Sequence, residues 1–207
     1  MKPRQLFRVR GWLTTAMLAC FVGIPFVAAH PASAISFTAA MGGGQEVGPN
    51  GSPAIGFASI TVVGNLLSVN ETWNGLTGGN PVAAHIHCCT APGTNVGVAV
   101  GFPGFPAATS GAYLHGFDLL DPATYTASFL NNFGAGTAAG ARDALLTGLG
   151  DGRAYVNIHN TVFPGGEIRG NLVPEPATGL LVLAGLTGLA LQRRGRARLP
   201  TSGSYLP

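Results

Sequence analysis

Residues 55–73, IGFASITVV-GN-LLSVNETW, are two apolar/polar alternating runs joined by Gly64-Asn65. Alternation with a period of two marks half-buried strands, and a Gly-Asn pair takes the positive φ that a two-residue hairpin loop demands. The stretch therefore predicts an antiparallel hairpin, and its neighbours carry the same grammar. Short strand-like runs at 35–41, 83–87, 95–100, 112–117, 153–159 and 167–173 lie between Gly and Pro punctuation. Two helical passages interrupt them. Asp121-Pro122 supplies a cap and a first-turn proline for a helix over 124–130, and Ala138, Ala141, Leu145 and Leu149 recur at helical spacing within 137–149. No internal repeat of fixed period is present. The expected fold is mainly β, an antiparallel β-sandwich or barrel with one or two short helices lying over one end.

Both ends of the chain read as addresses. Lys2, Arg4, Arg8 and Arg10 precede an apolar run to Ala29 and the small-x-small exit Ala32-Ser33-Ala34. This is the pattern of a signal peptide over 1–34, cut by signal peptidase after Ala34. At the other end Val173-Pro174-Glu175-Pro176 leads into an apolar run from Ala177 to Leu191, then Arg193, Arg194, Arg196 and Arg198. Each proline removes a backbone donor and restricts its predecessor, so the apolar run should begin as a separate unit rather than continue a strand or helix. At about 1.5 Å per residue that run spans roughly 22 Å, a marginal transmembrane helix against a hydrocarbon core of roughly 30 Å. The arginines would stay cytoplasmic and leave everything before Val173 outside.

The order of motif, apolar helix and basic tail resembles the PEP-CTERM sorting signal of Gram-negative bacteria. That resemblance covers 173–198 and implies processing near Pro174, Glu175 and Pro176 by an exosortase-type membrane protease. Delivery to the cell surface or the exopolysaccharide matrix would follow. Residues 199–207 form an extension beyond the usual end of such signals. The alternative is a plain single-pass anchor, and both readings export the domain.

Removing the two addresses reverses the charge. Of eleven basic residues only Arg142, Arg153 and Arg169 lie between 35 and 173, against the acids Glu46, Glu71, Asp118, Asp121, Asp143, Asp151 and Glu167. Three against seven leaves minus four, whatever the whole-chain pI of about 9.0 suggests. With no basic stripe to neutralise phosphates, nucleic acid is excluded as a partner. The remaining 139 or so residues suffice for one domain with a real core.

Two passages carry the chemistry. The first is Ala83-Ala84-His85-Ile86-His87-Cys88-Cys89, and the second runs from Tyr155-Val156-Asn157-Ile158-His159 to Pro164-Gly165-Gly166-Glu167-Ile168-Arg169-Gly170. His85 and His87 are two apart and so share one strand face, where they can meet one ion, with His159 as a third ligand. The competing role for the histidines is hydrogen bonding to buried carbonyls or to Glu167. Cys88 and Cys89 are the only cysteines after Cys20 leaves with the signal peptide. Their choices are a vicinal disulfide, which is the expectation, an intermolecular bridge, free thiols, or soft ligands for a metal such as Cu(I). Glu167 and Arg169 also share a face and suit a cross-strand ion-pair network. No nucleophile motif or phosphate-cradling loop accompanies them.

Together these passages resemble the CHRD domain, named from repeats in the animal protein chordin and widespread in exported bacterial proteins. The resemblance spans about 35–172 and implies a β-rich exported domain of largely undefined activity. The expected function is a structural or binding role at the cell surface or matrix, with an exopolysaccharide or surface protein as partner and VGFPGF (100–105) as a contact or core-covering loop. The rival is a copper- or zinc-binding or redox protein using His85, His87 and His159, with Cys88 and Cys89 behind them.

Overall fold

A computed structural model describes residues 34–175. The signal-peptide helix and the apolar C-terminal helix expected from the sequence lie outside these residues, as does Pro176. Among the described residues no helix is long and apolar enough to cross a membrane.

The hairpin forms as read. β2 (Ile55–Val63) and β3 (Leu66–Asn74) pair antiparallel, with Val63 opposite Leu66 across a two-residue loop. Only Gly64 takes positive φ, +61°, which places the glycine first as a type II′ turn requires. β1 (Ile35–Gly42) lies against β2 along its whole length. Phe37, Ala39 and Met41 of β1 point to the same side as Ala58, Ile60 and Val62 of β2 and Leu67, Val69 and Trp73 of β3, and all nine are buried. The alternating residues face outward, which is the arrangement the period of two demands.

The expected pair of sheets, or closed barrel, is not what these strands build. β4 (Ala83–Cys88), β5 (Val98–Gly101), β6 (Gly111–Asp118), β7 (Ala154–His159) and β8 (Ile168–Asn171) join the first three in one antiparallel sheet ordered β5-β4-β7-β8-β1-β2-β3-β6. The sheet curls into a half-barrel. Phe102, just past β5, meets Tyr113 and Phe117 of β6 with ring centroids 5.2 and 6.1 Å apart, and the Tyr113 hydroxyl donates to the Pro103 carbonyl. Side chains therefore bridge the seam where strand pairing would have closed it. Phe105 stacks on Trp73 at 4.5 Å, so the aromatic residues of VGFPGF cover the core while Pro103 and Gly104 stay exposed at its tip.

The helices start later than expected. Asp121 does cap, accepting from Ala123 N, but the turn it opens, Pro122–Thr124, is a single 3-10 turn. α1 (Ala127–Phe133) begins only after Thr126, whose hydroxyl accepts from Phe129 N. α2 (Ala138–Gly150) is capped by Thr137 and buries Ala141, Leu145 and Leu149. Val173–Pro174 adds a short strand, β9, paired with β1. Glu175 N supplies the donor that Pro174 lacks, bonding Ser36 O at 2.9 Å. The described chain thus enters and leaves on neighbouring strands, with Ala34, Pro174 and Glu175 all exposed.

Candidate metal centre

The two chemistry-bearing passages become adjacent strands. β4 and β7 pair with His85 opposite Asn157 and His87 opposite Tyr155. β8 lies on the other side of β7, with Arg169 opposite Asn157. Opposed residues share a face, and alternation carries it along each strand, so His85, His87, Tyr155, Asn157, His159 and Arg169 form one polar surface. The opposite face of the same strands is apolar: Ala84, Ile86, Val156 and Ile158 are essentially inaccessible.

On the polar face the three expected histidines converge. One ring nitrogen from each of His85, His87 and His159 lies within 4.8 Å of the other two. Backbone carbonyls orient two of the rings, with His87 Nδ1 2.7 Å from Val96 O and His159 Nδ1 2.9 Å from Pro164 O. A carbonyl only accepts, so Nδ1 carries the proton at His87, and its Nε2 holds a lone pair that is buried and unpartnered, as is Nδ1 of His85. Burial lowers the basicity of all three rings, and mutual repulsion adds to this at His85, which is pushed down to about 4. At neutral pH the cluster presents uncharged imidazoles, the form that binds metal. A ring N–H held by a backbone carbonyl is the usual support for a ligating histidine.

Tyr155 and Arg169 hold this geometry in place. The Tyr155 ring stacks on His87, with centroids 4.5 Å apart and planes within 3°, while the Arg169 guanidinium sits 3.4 Å from the Tyr155 centroid. Because β7 lies between β4 and β8, the tyrosine separates the imidazole from the cation. Arg169 is fully buried and donates to Thr94 O and Asn95 Oδ1, fixing the loop whose next residue, Val96, orients His87. The expected cross-strand ion-pair network of Glu167 and Arg169 with Asp or His partners does not form among the described residues. Among the described residues Arg169 makes no ion pair, and its charge is balanced by the tyrosine ring, two oxygen acceptors and the more distant Glu46. Burial raises Glu46 to about 7, opposed by Arg169 and by the Asn157 side chain.

Glu167 instead accepts from Ser52 Oγ, Thr77 N, Thr77 Oγ1, Gly78 N and Asn160 Nδ2, pinning three loops to the start of β8. Its role is structural, and the histidines touch carbonyls rather than this carboxylate. Cys88 and Cys89 form the expected vicinal disulfide. They do not join the histidines: Cys88 follows His87 and so points to the other face, where the sulfurs pack on α2 at Gly148, a position at which any Cβ would collide with them. Sequence reading found the three histidines but missed Asn157, Tyr155 and the positioning role of Arg169. The signal was present, since counting back by twos from His159 gives Asn157 and then Tyr155.

Residues 37–172 match the CHRD domain family. The chain belongs to the CHRD family. No curated protein and no solved structure matches it. The matched CHRD segment contains both polar strands, the Tyr155 stack and the Glu167 pin, so the site described above lies wholly within the family's domain.

Proposed function

We propose that this CHRD protein is an exported surface or matrix protein whose domain binds a transition metal ion, copper or zinc, through His85, His87 and His159. The observation that carries the reading is the convergence of three uncharged imidazoles, two of them held by backbone carbonyls and two with buried, unpartnered nitrogens. Three nitrogen donors that leave a further position open are typical of zinc and copper sites. The cysteine pair takes no part, because it faces away and is already oxidised. Export rests on the basic-apolar start ending at Ala34 and on the Pro174-Glu175-Pro176 motif with its arginine tail. The exposure of Ala34, Pro174 and Glu175 on neighbouring strands supports access by signal peptidase and an exosortase-type protease. Partners in the envelope would then be exopolysaccharide or surface proteins.

The test is elemental mass spectrometry on the full chain expressed in an exporting bacterium, with a His85→Ala plus His87→Ala variant beside it. About one copper or zinc per chain, lost in the variant, is expected. Sub-stoichiometric metal that Cu(I), Cu(II) and Zn2+ all fail to raise would leave a purely structural or adhesive domain.

A further inference from the structure

The His159 ring poses a chemical problem that points to a fourth ligand. Its Nδ1 lies 2.9 Å from Pro164 O and its Nε2 2.9 Å from Asn157 Oδ1. A neutral imidazole has one N–H and one lone pair, so only one of these oxygens can receive a proton. Pro164 O is a backbone carbonyl and cannot turn into a donor. Asn157 could present its NH2 instead, but that group lies on the side of Glu46 Oε1, a buried oxygen without a hydrogen-bond donor, so turning the amide would set oxygen against oxygen there. With the amide so oriented, Oδ1 and the Nε2 lone pair face each other without a proton between them. A bound cation relieves this, because both atoms become donors to it. Asn157 is 2 % exposed.

We propose that Asn157 Oδ1 is the fourth protein ligand of the metal held by His85, His87 and His159, completing an N3O set, with Glu46 fixing the amide so that oxygen faces the ion. This rests on the metal-binding reading above and deepens it. One amide oxygen with three imidazoles, and neither thiolate nor carboxylate in the set, suits a borderline divalent ion such as Zn2+ or Cu2+ better than Cu(I).

Co2+ serves as the probe, because its visible d–d bands report the donor set, together with Zn2+ affinity measured by chelator competition on the full chain. Asn157→Leu removes the oxygen and should weaken Zn2+ roughly 10- to 100-fold, the range seen when a supporting group of a metal site is lost. Asn157→Asp keeps an oxygen at that place and should bind Zn2+ at least as tightly as the wild type, with a shifted Co2+ spectrum. If the leucine variant fails to fold, the aspartate variant decides: an unchanged spectrum in a folded protein overturns the proposal. Wild-type affinity and spectrum in a folded leucine variant would overturn it equally, leaving a three-histidine site. A wild-type chain that binds neither Co2+ nor Zn2+ removes the metal-binding reading itself.

Discussion

Glu71 and Glu167 are both wholly buried, yet one is surrounded by five donors and the other by none. Glu71 lies in the core row of β3 between Val69 and Trp73, opposite Ala58 on one side and Tyr113 on the other. Burial alone pushes it up to about 8, so it is a neutral acid at pH 7. Burial also raises Glu167, but the hydrogen bonds from Ser52, Thr77 and Gly78 outweigh it and hold the carboxyl below its ordinary range. Depth alone does not set the charge of a buried acid; the donors brought to it do. Glu167 is where loops are fastened, whereas Glu71 is a polar group carried by an apolar row.

The sharpest way to break this contrast is Glu71→Gln. Below pH 4.5 folded and unfolded chains both keep the Glu71 proton, so the group adds no pH dependence. Between pH 4.5 and about 8 the unfolded chain releases it while the folded chain retains it, so wild-type stability falls as pH rises. A shift of this size corresponds to up to about 5 kcal/mol once both states are ionised. Unfolding free energies of the glutamine variant from urea melts should therefore match the wild type near pH 4 and exceed it by several kcal/mol near pH 9. A constant difference across that range would show that Glu71 is ionised in the fold.

Glu167→Gln should act in the opposite direction. An amide NH2 would replace one acceptor oxygen and meet donors already buried around it, a loss of roughly 3 kcal/mol or more. Because the native carboxylate is favoured, the difference should be full above the ordinary value of 4.5 and shrink as pH falls below it, when the wild type is protonated too. Thermal unfolding at pH 7 and pH 3 measures both limits. A variant as stable as the wild type at pH 7 would reduce the pin to a set of contacts without energetic weight.

The contrast also shows what the sequence could reveal. Alternation in LLSVNETW puts Glu71 in the buried row with Leu67, Val69 and Trp73, and the same rule put His85 and His87 on one face and allowed His159 to join them. Face is a local property written every second residue. Sheet closure is not, because pairing order depends on which distant strands meet, and the half-barrel with its seam of Phe102, Tyr113 and Phe117 was read as a sandwich or barrel. The donors around Glu167 come from residues 52, 77, 78 and 160, Ser, Thr, Gly and Asn in loops, types too common to announce a carboxylate site. Counting by twos places Asn157 on the histidine face, but not its chemistry, since an asparagine becomes informative only when its amide is seen between a histidine and an acid.

The smallest expected effect tests whether the Glu167 cradle is graded or all-or-none. Ser52 Oγ donates to Glu167 Oε1 at 2.6 Å and also accepts from Ala54 N. Ser52→Ala leaves four donors on the carboxylate, so it should destabilise by about 1.5–3 kcal/mol, the scale of one hydrogen bond to a charged group. The Glu167 carboxyl should at the same time move upward, toward its ordinary value. NMR titration of its side-chain carbon reads the shift, and urea unfolding reads the loss. If the alanine variant loses as much as Glu167→Gln, the five bonds act as one unit whose geometry fails when any member is removed. A loss near one bond's worth, with the carboxyl still depressed, would mean that the remaining donors suffice to keep the acid ionised, which none of the groups around Glu71 can do.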